Sequence, residues 1–261
     1  MNEPVLRSVD SRGVATVTFN RPEVNNAYDG ALVQGLHDAM DELAARTALR
    51  AVVLRGAGRH FQAGADLKWI MQVKSQSVEE NERASRATAL AVHRLNTLPV
   101  PTLALVQGAC FGGGTGILAA CDIVIATQEA SFSISETRWG LMAGIILPQL
   151  ADAIGARQVR RYALSGERFG AQEARRIGLV HEVVPAAELQ AAGERMVDQL
   201  LQNAPEANAQ TKAAGLEFAW GAVDEATLER LIVQHAAKRR SNEATEGLAS
   251  FAEKRAARWT A

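Results

Sequence analysis

The sequence predicts an α/β fold in which buried strands are joined by crossover helices, and three observations carry that expectation. Ala51–Gly56 and Thr102–Val106 are short, almost uninterrupted apolar runs, the signature of strands covered on both faces. The stretches between such runs are helical in spacing or rich in glycine. Beyond Pro185 the β-branched runs cease and only helical patterns follow, so a division at that point is expected, 1–185 as the α/β core and 186–261 as a helical C-terminal part.

Residues 4–8 and Val14–Phe19 read as a hairpin around Asp10-Ser11-Arg12-Gly13. The second strand ends at Asn20-Arg21-Pro22, where proline removes a ladder donor. Asp29 is a plausible N-cap for a helix to about Arg46, whose Leu32, Leu36, Ala39, Met40 and Leu43 share one face. The strand Ala51–Gly56 feeds a loop running from Gly58 to Asp66. A polar helix over Val78–Asn96 stops at Pro99-Val100-Pro101. Strands at Thr102–Val106 and Asp122–Ala126 flank a glycine cluster that opens a helix. Helices are expected at Glu188–Gln202, Pro205–Phe218, Val223–Arg240 and Glu243–Ala257, packed on the first part or on a partner subunit.

Charge and cysteine usage narrow the function. With 28 Lys+Arg against 29 Asp+Glu the net charge is −1, so no broad field draws the chain to nucleic acid or an anionic membrane. Cys110 and Cys121 offer neither a metal-ligand spacing nor a disulfide framework and suit a reducing cytoplasm. His60, His93 and His181 are scattered, and Ser133 and Ser135 lack a hydrolase elbow.

Two loops attract attention. Gly112-Gly113-Gly114, after a strand and before a helix, lets backbone N–H groups face an anion or a developing oxyanion. It has neither the GxGxxG pattern nor the Gly-Lys-Ser/Thr of a phosphate loop, and taken alone it reads equally well as a close-packed turn. Phe61-Gln62-Ala63-Gly64-Ala65-Asp66-Leu67 is a second loop of small side chains, which close packing of helix and sheet would also explain. Glu136 sits among small and apolar residues, where desolvation would raise its pKa toward the range of a general acid or base.

Both loops in this order, with Asn20-Arg21-Pro22 ahead of them, resemble the enoyl-CoA hydratase/isomerase family, also called the crotonase family. The likeness runs through AVVLRGAGRHFQAGADL, FGGGTGILAACDIVIAT, SFSISETRWGL, RRYALSGERFGAQEARRIGLVHEVV and EGLASFAEKR, covering nearly the whole chain. It implies a crotonase-like superhelix of stacked β-β-α turns, with the helical C-terminal part making contacts in a homotrimer or dimer of trimers. It implies an acyl-CoA thioester as substrate, with coenzyme A part of the substrate and no metal or redox cofactor. On matching positions the thioester oxygen would be held by the N–H groups of Ala63 and Gly113, and Glu136 would move protons.

The resemblance further implies coenzyme A contacts at Val24, Asn25, Ala65, Leu67, Phe251 and Lys254, the last two from this chain or from a neighbouring subunit. Asp66 either joins them or caps the following helix, and Trp139 walls the acyl pocket or belongs to the core. The second family glutamate is replaced by Gly116, which leaves three readings: one glutamate serving both water and proton, an isomerase that only shuttles a proton, or a non-catalytic acyl-CoA- or RNA-binding member of the fold, which the retained Glu136 and both loops disfavour. The segments GGGTGILAACD, SETRWGLMAGIILPQL and GARQVRRYALSGERF most resemble the bacterial branch acting on 3-methylglutaconyl-CoA and isohexenylglutaconyl-CoA. Gly116 and the apolar run Ile145-Ile146-Leu147 are therefore expected to leave room for a branched tail.

Overall fold

The computed structural model describes residues 3–203, 205–220 and 225–255. In chain order its elements are β1 (Val5–Val9), β2 (Val14–Phe19), α1 (Gly30–Ala44), β3 (Ala51–Gly56), α2 (Leu67–Lys74), α3 (Val78–Asn96), β4 (Thr102–Val106), β5 (Ala109–Phe111), α4 (Gly113–Ala119), β6 (Ile123–Thr127) and β7 (Ser131–Ser133). There follow α5 (Leu147–Ser165), β8 (Phe169–Gly170), α6 (Ala171–Arg176), β9 (Glu182–Val184), α7 (Leu189–Leu201), α8 (Pro205–Trp220), α9 (Glu225–Arg239) and α10 (Asn242–Ala252). Short 3-10 turns at Pro22–Val24, Glu136–Trp139 and Gly144–Ile146 lie at the site described below.

Six strands form one sheet in the order β1-β2-β3-β4-β6-β9, parallel except for the β1–β2 hairpin, in which Val5 faces Phe19. Alternation within the apolar runs explains why they are continuous. Val52, Leu54, Ala104, Val106, Val124 and Ala126 turn into the main core, while Val53, Leu103, Leu105 and Ile125 join Ala192 and Val197 of α7 on the other side. The expected strands Ala51–Gly56 and Thr102–Val106 and the helix Val78–Asn96 are found with those bounds. Asp29 caps α1 by accepting from the Leu32 N–H, and Ser77 with Glu80 forms a reciprocal capping box on α3.

The second sheet, β5-β7-β8, was not foreseen from the sequence. Its strands have two or three residues each, too few for a period to show. They turn the fold into stacked β-β-α units: β4 passes to β5 and then α4, and β6 passes to β7 before α5. Gln62 joins the same layer through a parallel bridge to Cys110. The α/β crotonase-like expectation is thus the observed architecture.

After Pro185 the described residues are largely helical, and these helices pack on the chain's own core. α7 lies on β4 and β6, α9 runs along α3, and α10 covers the Glu136–Trp139 turn. The helix expected over residues 243–257 ends at Ala252, where Lys254 turns to φ +52; residues 256 and 257 lie outside the described ones, as does Val223 at the start of its expected helix. Among the described residues no helix is long and apolar enough to cross a membrane.

Candidate active site

The site is assembled from loops at the ends of β2, β3 and β5. After Pro22–Val24, Asn25 and Asn26 both take left-handed backbone, a conformation asparagine tolerates. Asn26 is wholly buried: its Oδ1 accepts from the Arg21 N–H at 2.8 Å, and its Nδ2 donates to the carbonyls of Ala57 (2.9 Å) and His60 (2.8 Å). This side chain, unremarked in the sequence, locks the Asn-Arg-Pro turn to the loop after β3.

That loop then runs past Tyr28. The Tyr28 N–H donates to the Gly64 carbonyl (2.9 Å), and the Asp66 N–H donates to the Tyr28 carbonyl (2.8 Å). In such a parallel bridge the residue between, Ala65, turns its own N–H the opposite way. It meets no acceptor among the described residues. Ala63, by contrast, donates its N–H to the Asn25 carbonyl at 3.1 Å. The expectation that Ala63 supplies an oxyanion donor is therefore corrected: its hydrogen is already used, and the available one belongs to Ala65.

Gln62 braces this arrangement from beneath. Buried completely, it accepts from the Gly64 N–H through Oε1 (2.9 Å) and donates to the Gly64 carbonyl through Nε2 (3.2 Å). Gly64, at φ +91, brings the loop against Phe111, whose carbonyl would lie 3.1 Å from any Cβ there. The glycine cluster follows at once. The Gly112 N–H donates to the Ser133 carbonyl (2.8 Å), whereas Gly113, the first residue of α4, has an N–H with no acceptor among the described residues, as helix starts do.

Glu136 overhangs this pair of donors. Its Oε1 would lie 3.2 Å from a Cβ on Gly112, and its Oε2 is shielded from solvent without a hydrogen-bond partner. Burial raises its pKa from 4.5 to about 7, opposed only by its own backbone N–H. Tyr28, buried beside it, is pushed above its ordinary value by burial and then by the Glu136 charge, so the phenol keeps its proton. Tyr28 had no signal in the sequence, being a lone aromatic after a turn.

The raised pKa has a stability consequence. Because the folded state binds this proton more tightly than the unfolded chain, Glu136 stabilises fully below pH 4.5, and the contribution is lost as pH rises through about 7. The interval corresponds to about 3 kcal/mol. Glu136→Gln has no such titration, so its Tm should match the wild type near pH 4 and exceed it by several degrees at pH 8. A Tm difference that does not change with pH would remove the buried, unpaired carboxyl from the account.

These groups open into a cavity of about 1150 Å³. Val24, Asn25, Ala65, Asp66, Leu67, Trp139 and Phe251 all line it, as expected. Trp139 and Phe251 meet edge to face at 5.3 Å, so α10 of the same chain supplies this wall. The Asp66 carboxylate is engaged, accepting from the Lys68 N–H (3.0 Å) and lying 3.5 Å from Arg21, which makes it a helix cap at the cavity edge. Lys254 lies just past the end of α10 and does not line this cavity of its own chain; the wall includes its neighbour Arg255, ion-paired to Glu246 (2.6 Å) and Glu253 (2.5 Å).

Gly116 is not beside an empty space either. A Cβ there would lie 2.3 Å from Ile146 Cγ2, so the Ile146 side chain fills the place expected to be vacant. Ile117, Ile145 and Ile146 line the cavity, while Leu147 packs into the core. Where a second carboxylate would have stood, the wall is apolar.

Two free N–H donors and one buried carboxylate, lining the same cavity, suit chemistry at a carbon next to a carbonyl group. The comparisons with known proteins are specific. The Enoyl-CoA hydratase/isomerase family profile matches residues 10–261. Hydroxycinnamoyl-CoA hydratase-lyase of Pseudomonas fluorescens is 37% identical over 196 residues, 74% of this chain and 71% of that protein. The mitochondrial Delta(3,5)-Delta(2,4)-dienoyl-CoA isomerase of Dictyostelium discoideum is 31% identical over 260 residues, 96% and 88% of the two chains. The crystal structure of an enoyl-CoA hydratase/isomerase from Xanthobacter autotrophicus Py2 matches with a TM-score of 0.87 at 30% identity, covering 97% of this chain and 94% of that one. The chain belongs to the enoyl-CoA hydratase/isomerase family, whose members act on acyl-CoA thioesters.

Proposed function

We propose that this enzyme adds water to the double bond of a branched 2-enoyl-CoA of the glutaconyl type, 3-methylglutaconyl-CoA or isohexenylglutaconyl-CoA. The observation that carries the reading is the Glu136 carboxylate, unpaired and close to neutral pKa, placed over Gly112 beside the free N–H groups of Ala65 and Gly113. Glu136 as carboxylate takes a proton from water while the water oxygen bonds to C3. The C2=C3 electrons move to C2 and the thioester oxygen, whose negative charge the Ala65 and Gly113 N–H groups hold. Glu136 returns its proton to C2, and one molecule of water has been added. Each step is a proton transfer or an oxygen addition, so the scheme uses no cofactor.

The branched substrate is supported by the apolar wall of Ile117, Ile145 and Ile146, where burial is worth about 0.8 kcal/mol per CH₂. One carboxylate also serves an isomerase, which moves a proton from one carbon to another, and that is the second reading. Incubation with a panel of enoyl-CoA thioesters and mass spectrometry separates them: gain of one water marks a hydratase, unchanged mass with a moved double bond an isomerase. On the proposed reading branched glutaconyl thioesters exceed crotonyl-CoA in kcat/KM by about tenfold or more. Faster hydration of crotonyl-CoA than of every branched glutaconyl thioester would sink the substrate assignment. A homotrimer or dimer of trimers in the cytoplasm belongs to the same reading and is tested by light scattering and fractionation.

A further inference from the structure

One wall of the cavity carries a buried cation with no counter-ion among the described residues. Arg239, on α9, is 1% exposed and lines the cavity together with Thr88 and His235. Its Nη2 donates to the Asn81 carbonyl (2.9 Å) and to Ser85 Oγ, tying α9 to α3. Its Nε has no partner, and no carboxylate pairs with it among the described residues. The adjacent Asn81 is likewise buried with Nδ2 and Oδ1 unbonded. The other polar groups facing this end are neutral: His235, held near 3 by burial, contacts Ser85 Oγ through Nδ1 (3.0 Å), and Tyr28 keeps its proton. Burial lowers Arg239 only to about 10, so it stays charged at neutral pH.

Anchoring α9 does not account for this residue. Nη2 alone makes both bonds to α3, which a neutral donor could also make, whereas a buried charge without a partner is costly. A cation of fork geometry that lines a substrate cavity and keeps an unbonded Nε–H matches a carboxylate. Glu136 is not that carboxylate, since its Oε2 and the Arg239 Nε are both left without a hydrogen-bond partner.

We propose that Arg239 receives a free carboxylate at the far end of the acyl group, making the enzyme selective for monothioesters of dicarboxylic acids. This rests on the cavity being the acyl-CoA site and assigns the residue that would recognise a glutaconyl substrate. The thioester is then held at Ala65 and Gly113 and the distal carboxylate at Arg239, so the reacting carbons are fixed from both ends.

The test uses two saturated five-carbon thioesters, glutaryl-CoA and valeryl-CoA, which can be neither hydrated nor isomerised. In calorimetric titration the wild type should bind glutaryl-CoA at least about tenfold more tightly than valeryl-CoA. Arg239→Gln should lose that preference while keeping its valeryl-CoA affinity, and Arg239→Lys should retain part of it. Equal binding of the two by the wild type, which needs no variant, overturns the proposal, as does a folded Arg239→Gln that keeps the preference. Water gain on enoyl thioesters is read separately. A hydratase with no preference for glutaryl-CoA sinks the Arg239 assignment alone, and a preference without water gain sinks the hydratase reading alone.

Discussion

Glu136→Gln is expected to lower turnover of the enoyl-CoA substrate by about 10²–10⁴-fold while leaving acyl-CoA binding nearly unchanged. The amide keeps the shape of the side chain and its place over Gly112, but it neither accepts nor returns a proton. The groups beside it among the described residues offer no substitute. Tyr28 is buried and kept protonated, Gly116 carries no side chain, and the space beside it is filled by Ile146. The wild-type kcat/KM should rise with pH through about 7, because the first step needs the carboxylate, and this limb should vanish in the variant. Full turnover by Glu136→Gln, or a wild-type profile flat across that range, would refute the assignment.

The sequence exposed the long elements and hid the short ones. β3, β4 and α3 announce themselves through five or more residues of consistent pattern, whereas β5, β7 and β8 are too brief to show a period yet carry the glycine loop and lead into Glu136. Glu136 and Gly113 were legible through the resemblance of their motifs, since taken alone the carboxylate reads as a helix-start or loop group and the glycine run equally well as a close-packed turn. The choice between Ala63 and Ala65 was not, since two alanines flanking one glycine are alike until Tyr28 pairs with the loop and decides which N–H is spent. Arg239 was hidden inside Lys238-Arg239-Arg240, which reads as a solvated run. A signal existed: Arg239 continues the stripe of Leu228, Ile232 and His235 at helical spacing, placing it on the face that α9 turns inward. At Gly116, the absent side chain suggested vacant volume, but only the fold shows that Ile146, thirty residues later, occupies it.

Gly113→Val is expected to reduce kcat/KM by about 10²–10³-fold or more in a protein that still folds. The cause differs from what the sequence suggests. A glycine at this point reads as clearance for a thioester, yet the first atom a side chain would meet is Tyr28, with Cε1 only 2.6 Å from an added Cβ. Tyr28 cannot swing aside freely, being buried, edge to face with Trp69 at 5.8 Å, and bridged to the Ala65 loop through its backbone. Valine therefore displaces either the start of α4 or the Tyr28 segment. The first movement takes the Gly113 N–H off the thioester oxygen, and the second shifts the Ala65 N–H through the bridge. Losing one such donor costs about 2.7–4 kcal/mol of transition-state stabilisation, which sets the size of the effect. Pairing Gly113→Val with Tyr28→Ala, which removes the obstructing ring, should recover activity relative to Gly113→Val alone, since the crowding and not the valine itself is at fault. Near-normal kinetics of Gly113→Val with unchanged circular dichroism would take this loop out of the site.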